Sequence, residues 1–119
     1  MNELARGLKQ MILESSKNGV LDAEVAIPRR PTCSTREVDW EKVPLLDDCP
    51  LKELVYIHNR FETDRLVYQI EHFDVLWNGG RPPHVVECEG EKFIVDGNHR
   101  VLILSLFGVD TFPCRVIQL

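Results

Sequence analysis

Apolar residues recur at helical spacing in two stretches of this chain, residues 3–18 and Glu62 to Trp77. The first stretch carries them one, three and four positions apart, at Leu4, Ala5, Leu8, Met11 and Ile12. The second carries them at spacings of four, three and four, at Leu66, Ile70, Phe73 and Trp77. Because such stripes form the apolar face of a helix, we predict one helix that ends at Asn18-Gly19 and a core-facing helix that Asn78-Gly79-Gly80 closes. The spacing does not say whether the first helix packs on the chain itself or on a partner.

Patterns typical of β-strands begin at position 54. Leu54 to Ile57 predicts one strand, and two more, His84 to Cys88 and Lys92 to Val95, are joined by Glu89-Gly90-Glu91. A short link that contains glycine between two such runs predicts a β-hairpin. Residues 99–107 are apolar on most sides, which indicates a deeply buried helix.

Prolines mark two further segments. Pro28-Arg29-Arg30-Pro31 excludes a regular helix or a central strand, so we predict an extended connector, with a solvated loop favoured over an anion or partner contact. The last strand is predicted at Thr111 to Ile117, where Pro113 favours an edge or strand-start position. We therefore divide the chain into an N-terminal helix and connector, residues 1–37, and a main domain, residues 38–119.

The composition changes this picture only in what it excludes. The 119 residues, 44% hydrophobic and 28% charged, fit one folded domain. Residues 38–119 carry fourteen acidic and eight basic side chains, the wrong sign for broad contact with a DNA or RNA backbone. This charge does not exclude a small phosphate-bearing ligand, which needs only one local site. No apolar run approaches the roughly 18 residues of a membrane span and the N-terminus lacks a signal pattern, so we expect a cytoplasmic protein that does not bind membranes.

The four cysteines stand 16, 39 and 26 positions apart and form no C-x-x-C pair. This spacing encodes neither a zinc knuckle nor a thioredoxin-type motif. We therefore expect free thiols in a reducing compartment. Cys88 and Cys114 lie in strand-like runs, where a buried cysteine acts as a small apolar residue.

The turn after the second hairpin strand has the composition of a binding site. Gly97 permits a sharp turn, and a helix is predicted to begin at Asn98 or His99. The first N–H groups of a helix have no partners within it and carry partial positive charge, so such a turn can bind phosphate. Arg100 and His99 add side-chain donors, and Asp96 could hold a metal, accept a proton or cap the backbone. The alternative is a plain strand–helix turn with Asp96 or Asn98 as its N-cap.

This turn lies within a longer pattern that resembles the ParB/sulfiredoxin superfamily. The resemblance rests on a strand, a glycine turn with His-Arg, a helix and a final strand, at residues 93–102, 107–109 and 112–117. Weaker similarity extends back through Pro82 to Val86 and the helix from Thr63 to Trp77, so that it covers residues 43–119. The resemblance implies a compact α+β fold, a small mixed β-sheet packed with helices, to which this chain adds its N-terminal helix.

The resemblance also implies a ligand. Members bind a nucleotide, often ATP or CTP, and the glycine turn contacts its phosphates. By position, this nominates the turn residues Gly97 to Arg100 for phosphate binding. Arg65, which shares a helix face with Tyr68 and His72 at i, i+3 and i+7, is nominated as an assisting basic residue. Kinases of the superfamily use an aspartate in this turn, which nominates Asp96 as the catalytic base or as a ligand of Mg²⁺.

Two departures limit what the resemblance implies. Sulfiredoxins place their catalytic cysteine between the glycine and the His-Arg pair, where this chain has Asn98, so sulfinic acid reductase activity is not expected. ParB proteins carry a Gly-Glu-Arg-Arg turn and continue into a DNA-binding domain. Here the sequence stops at Leu119, directly after the last predicted strand, and DNA loading is not expected.

Two functions stay open at this point. The first is an enzyme that binds a nucleotide and transfers or hydrolyses phosphate, or cuts a phosphodiester. The second is a non-catalytic nucleotide sensor or protein-interaction module, of the kind that a phage or mobile element encodes, with the N-terminal helix as its contact to a protein partner. Turnover of a bound nucleotide separates the two.

Two other histidines are weaker candidates. His58 lies between a predicted strand and a predicted helix, where it could line the pocket, but a surface loop is favoured. His84 opens a strand after two prolines, and a structural role is favoured for it. No recognised metal-ligand spacing joins either of them to Asp96 or His99.

Overall fold

The structure is a computed structural model that describes residues 3–22, 28–73 and 80–119. Its helices and strands are α1 (Glu3–Ser15), β1 (Val20–Asp22), β2 (Leu45–Pro50), β3 (Leu54–Tyr56), β4 (Arg60–Glu62), α2 (Thr63–Glu71), β5 (His84–Cys88), β6 (Glu91–Asp96), α3 (Asn98–Leu106) and β7 (Thr111–Gln118). The predicted α+β class is confirmed. Within the described ranges, no helix has both the length and the apolar character needed to cross a membrane.

Five strands form one mixed sheet in the order β2-β7-β5-β6-β3. The pairs β2/β7 and β5/β6 are antiparallel, and the pairs β5/β7 and β3/β6 are parallel. The β5/β6 pair is the predicted hairpin, and its turn residues Glu89 and Gly90 both have positive φ, 53° and 82°. The short strands β1 and β4 form a separate antiparallel pair. The sequence patterns did not predict β1, β2 or β4.

The helices cover one face of the sheet. As predicted, α3 is buried on nearly all sides, from Asn98 through Leu104. The first helix packs on the chain itself, because Ala5 and Ile12 of α1 lie in the same apolar core as Leu66 and Ile70 of α2. Two members of the predicted apolar stripe, Leu4 and Met11, are instead exposed. The stripe is therefore narrower than its spacing suggested.

The connector covers the opposite face of the sheet. Here Cys33 and Trp40 pack on an apolar cluster that contains Val86 and Phe93, and Arg29 donates its backbone N–H to the carbonyl of Tyr56 at 3.1 Å. The Arg29 side chain also forms an ion pair with Glu91. Arg29 and Arg30 are themselves exposed, as predicted for a solvated loop, whereas the later part of the connector covers an apolar face of the sheet.

A disulfide joins the connector to the sheet. Cys33 is bonded to Cys88 of β5 across 55 positions of sequence. The expectation of four free thiols is therefore wrong for this pair, since only the fold brings the two positions together. Cys49 and Cys114 are free and buried, and Cys114 behaves as the small apolar residue that was predicted.

Pro113 is the third residue of β7, near the strand start that was one of its two predicted positions. It is not in an edge strand, because β7 runs between β2 and β5. The pairing of β7 with β5 begins only at Arg115, whose N–H donates to the carbonyl of Pro83 at 2.9 Å. Backbone N–H groups two residues apart point to the same side of a strand. The nitrogen of Pro113 therefore points toward β5, but at a position where β7 is not yet paired with β5. The missing N–H of proline costs no hydrogen bond of the sheet there.

The second predicted helix is described in its first half. It begins at Thr63, directly after Glu62, as expected, and its regular part ends at Glu71 with His72 as C-cap. Leu66 and Ile70 are buried in the core and Phe73 packs against it. The predicted continuation to Trp77 and most of the Asn78-Gly79-Gly80 stop lie outside the described residues.

Candidate functional site

Gly97 forms the turn between β6 and α3. Its φ is 99°, a left-handed conformation that side chains other than glycine adopt at a cost. A Cβ added there would also lie 3.2 Å from the Cβ of Pro83. Both facts require glycine at this position. The predicted arrangement of a strand, a glycine turn and a helix is therefore present.

Asn98 anchors the first turn of α3 to the sheet. Its Oδ1 accepts a hydrogen bond from the N–H of Ile57 at 3.2 Å, and its Nδ2 donates to the carbonyl of Ile94 at 2.9 Å. Since both ends of the amide are engaged inside the protein, Asn98 can contact a ligand only through its backbone N–H. Gly97 is the N-cap of α3, and no side chain of the described residues caps this helix. The alternative interpretation, a plain turn with the side chain of Asp96 or Asn98 as N-cap, is therefore wrong.

His99 is a neutral side chain at the junction of α3 and α2. It is 7% exposed, and its Nε2 accepts a hydrogen bond from the N–H of Glu62 at 2.9 Å, just before α2 begins. Burial, with smaller effects from Arg65 and His58, lowers the pKa of His99 to about 4. At neutral pH the ring proton is therefore on Nδ1. His99 can donate one hydrogen bond but adds no positive charge.

Arg100 is also buried, with 8% exposure. Its guanidinium carbon lies 5.2 Å from the centre of the Phe112 ring, a distance at which cation and ring attract each other. A Cβ added to Gly80 would lie 2.7 Å from Nη2, so the guanidinium also lies directly against this glycine. Burial lowers the pKa of Arg100. These contacts tie α3 to β7 and to the segment that begins at residue 80.

Arg65 is the exposed cation of this site. It lies in the first turn of α2, and its charge acts on His99. His58 borders the same place, with its ring centre 5.7 Å from that of His99 and 5.0 Å from that of Phe61. The Nδ1 atom of His58 is buried and has no hydrogen-bond partner among the described residues. His58 is half-buried in the loop between β3 and β4 and lies beside the site; its position between a strand and a helix was the available signal.

Asp96 lies at the end of β6, and its side chain is 60% exposed. Its Oδ2 lies 3.7 Å from Nδ1 of His84, and the His84 ring stacks on Trp40 with centres 4.4 Å apart. Chiefly through burial, the pKa of His84 is lowered. These contacts agree with a structural role for His84. The described part of the chain contains no cluster of three or more His, Cys, Asp or Glu residues that could hold a metal by themselves.

No family model matches the sequence, and no curated protein matches it significantly. Among solved structures, the chain is similar to the sulfiredoxin from Arabidopsis thaliana, with a TM-score of 0.50 and 16% identity over 63% of this chain and 85% of that one. The chain has the ParB/sulfiredoxin-like fold. The fold implied by the resemblance to the ParB/sulfiredoxin superfamily is therefore confirmed. At 16% identity the comparison supports the fold and nothing beyond it.

The cysteines of this sulfiredoxin-like domain do not lie in its glycine turn. Cys33 and Cys88 form the disulfide on the connector face. Cys114 lies near Arg100 but is buried, and its hydrogen bond with Cys49, together with burial, raises its pKa. Such a thiol stays protonated and is a poor nucleophile. Asn98 occupies the position where sulfiredoxins are expected to carry their cysteine, and it makes structural hydrogen bonds.

Proposed function

We propose that this protein binds the phosphates of a nucleotide, of the ATP or CTP type, at the N-terminus of α3. The observation that supports this most directly is the exposed Arg65 beside a nine-residue helix without a side-chain N-cap. The leading N–H groups of a helix have no partners inside it, and the helix dipole makes this end partly positive. An anion at this position would accept hydrogen bonds from these N–H groups and would interact favourably with the dipole.

The buried side chains give the site its rigidity. Asn98, His99 and Arg100 fix the first turn of α3 against β3, α2 and β7. A turn held in this way presents its N–H groups in one arrangement, so little ordering is needed when the ligand binds. In this proposal the phosphates contact the backbone of residues 97–100 and the side chain of Arg65. The Nδ1–H of His99 is available as a neutral donor.

Asp96 is the proposed catalytic group. Mg²⁺ is commonly held by one or two carboxylates together with the phosphates of the substrate, so a single exposed carboxylate next to the phosphate site fits that ion. Bound Mg²⁺ would neutralise charge on the phosphates. Asp96 would hold this ion or act as base in phosphoryl transfer or hydrolysis, including that of a phosphodiester. If nucleotide binds without turnover, the non-catalytic sensor is the function that remains.

The structure decides which variant tests binding. Arg100→Ala would empty a buried position and risk unfolding, whereas Arg65→Ala removes an exposed side chain. Arg36→Ala is the matched control, because Arg36 is an exposed arginine on the connector side of the sheet. In calorimetric titrations with ATP and CTP, we expect Arg65→Ala to weaken binding about tenfold or more and Arg36→Ala to leave it unchanged. No binding by the parent, or equal effects of both variants, would overturn the proposal.

A further inference from the structure

Tyr68 is an exposed aromatic side chain on the same face of α2 as Arg65. It is 62% exposed, more than the intermediate burial that is typical of tyrosine. Its ring stacks on that of His72, with centres 4.0 Å apart and planes inclined by 22°. Because one face of the Tyr68 ring lies against His72, the remaining exposure includes the opposite face.

The Tyr68 ring is held in place by its neighbour. His72 donates its backbone N–H to the carbonyl of Tyr68 at 3.0 Å, and its Nδ1 lies 2.8 Å from the same carbonyl oxygen. This second contact fixes the orientation of the imidazole, which in turn supports the tyrosine ring. A rigid aromatic face loses little freedom when it binds a flat partner.

The position of Tyr68 relates it to the phosphate site. Tyr68 lies three positions after Arg65, about 4.5 Å further along the helix axis, and the Arg65 charge acts on His99. Of the two acidic residues in α2, Glu71 is paired with Lys9 at 3.1 Å and Asp64 is exposed in the first turn. A ligand with an anionic end and a flat aromatic end could therefore lie along α2 and contact both residues.

We propose that Tyr68 is the base-stacking residue of this site: the nucleobase lies on the open face of its ring while the phosphates lie at Arg65 and the start of α3. This inference rests on the proposed function. Stacking on an aromatic ring tolerates any base, since every base has a π-face. The platform therefore accepts both ATP and CTP, and it favours the larger adenine ring.

The test compares nucleotides with inorganic tripolyphosphate, which has the charges but no base. The parent protein, Tyr68→Ala and Tyr68→Phe are titrated with ATP, CTP and tripolyphosphate, and their melting temperatures verify that each is folded. We expect the parent to bind ATP more tightly than tripolyphosphate. Tyr68→Ala should weaken ATP binding about tenfold and leave tripolyphosphate binding unchanged, and Tyr68→Phe should bind all three ligands like the parent.

The outcomes separate this inference from the function on which it rests. If tripolyphosphate and ATP bind and Arg65→Ala weakens both, while Tyr68→Ala weakens neither, the base platform is wrong and the phosphate site stands. An equal loss of ATP and tripolyphosphate binding in Tyr68→Ala also overturns base stacking. If the parent binds none of the three ligands, the phosphate site itself is wrong and the inference fails with it.

Discussion

Acidification should destabilise this protein through His99. The imidazole is buried and neutral in the folded state, where its pKa is about 4, whereas that of an unperturbed histidine is 6.5. The unfolded chain therefore binds a proton more readily than the folded one at every pH between these two values. The contribution of neutral His99 to the free energy of unfolding is fully present above about pH 6.5. It is lost progressively as the pH falls toward 4.

The size of the effect follows from the difference in pKa. Each pKa unit corresponds to about 1.4 kcal/mol, so the full effect is about 3 kcal/mol. Between pH 7 and pH 5 the loss should be about 2 kcal/mol. That is a large fraction of the stability of a domain of this size, which is typically about 5–15 kcal/mol.

Urea unfolding followed by tryptophan fluorescence at pH 7, 6 and 5 measures this loss. His99→Gln is the comparison protein, because its amide oxygen can accept the N–H of Glu62 but does not titrate in this range. The contribution of His84, whose pKa burial also lowers, is present in both proteins and cancels in their difference. His72→Gln is the matched control: it removes an exposed histidine at the end of α2, and the pH dependence should persist in it.

Parallel stability curves for the parent and His99→Gln between pH 7 and 5 would refute this reasoning. They would mean that His99 is solvated or paired differently from the arrangement described above. A steeper curve for the parent, by about 2 kcal/mol over this interval, would establish that His99 is neutral at physiological pH. A ligand at the proposed site would then meet positive charge from Arg65, Arg100 and the helix terminus but none from His99.

Two further predictions concern the turn and the disulfide. Gly97→Ala should destabilise the protein by about 2–3 kcal/mol, more than Gly90→Ala. Both glycines have positive φ, but only Gly97 lies against Pro83. Thermal melting of both variants measures the difference, and equal losses of stability would contradict the contact. Cys33→Ser should cost about 2–4 kcal/mol, because the disulfide restricts a long loop in the unfolded chain. A thiol reductant should lower the denaturation midpoint of the parent to that of Cys33→Ser, and an unchanged midpoint would show that the bond contributes nothing.

The parts of the fold that were predictable are those that neighbouring residues encode. The β5/β6 hairpin and the glycine turn before α3 depend on a few consecutive positions, and both were found. The connector was predicted but its place on the sheet was not, because that place depends on the contact of Cys33 with Cys88 and of Trp40 with His84. The strands β1 and β4 have three residues each, too few to show an alternating pattern, and unlike the equally short β3 they contain charged residues.

The glycine turn of the candidate site was predicted from the sequence, but the burial of its side chains was not predicted. Polar residues at the start of a helix normally face water, so Asn98, His99 and Arg100 were interpreted as side chains that reach a ligand. Their burial comes from parts of the chain distant in sequence, such as Phe112 for Arg100 and the start of α2 for His99. Among the candidate side chains, Arg65 and Asp96 have the exposure that the interpretation required.

The composition of the first turn of α3 is unusual for stability alone. Acidic residues near a helix N-terminus interact favourably with the dipole and basic ones unfavourably, yet α3 has no acidic residue in its first turn and carries a buried arginine there. The neutral state of His99 avoids a second charge at this end. Asp96, the nearest acidic residue before the turn, remains largely exposed. A sequence that keeps Arg100 at the positive end of a helix fits a protein whose bound state adds an anion, and this supports the proposed phosphate site.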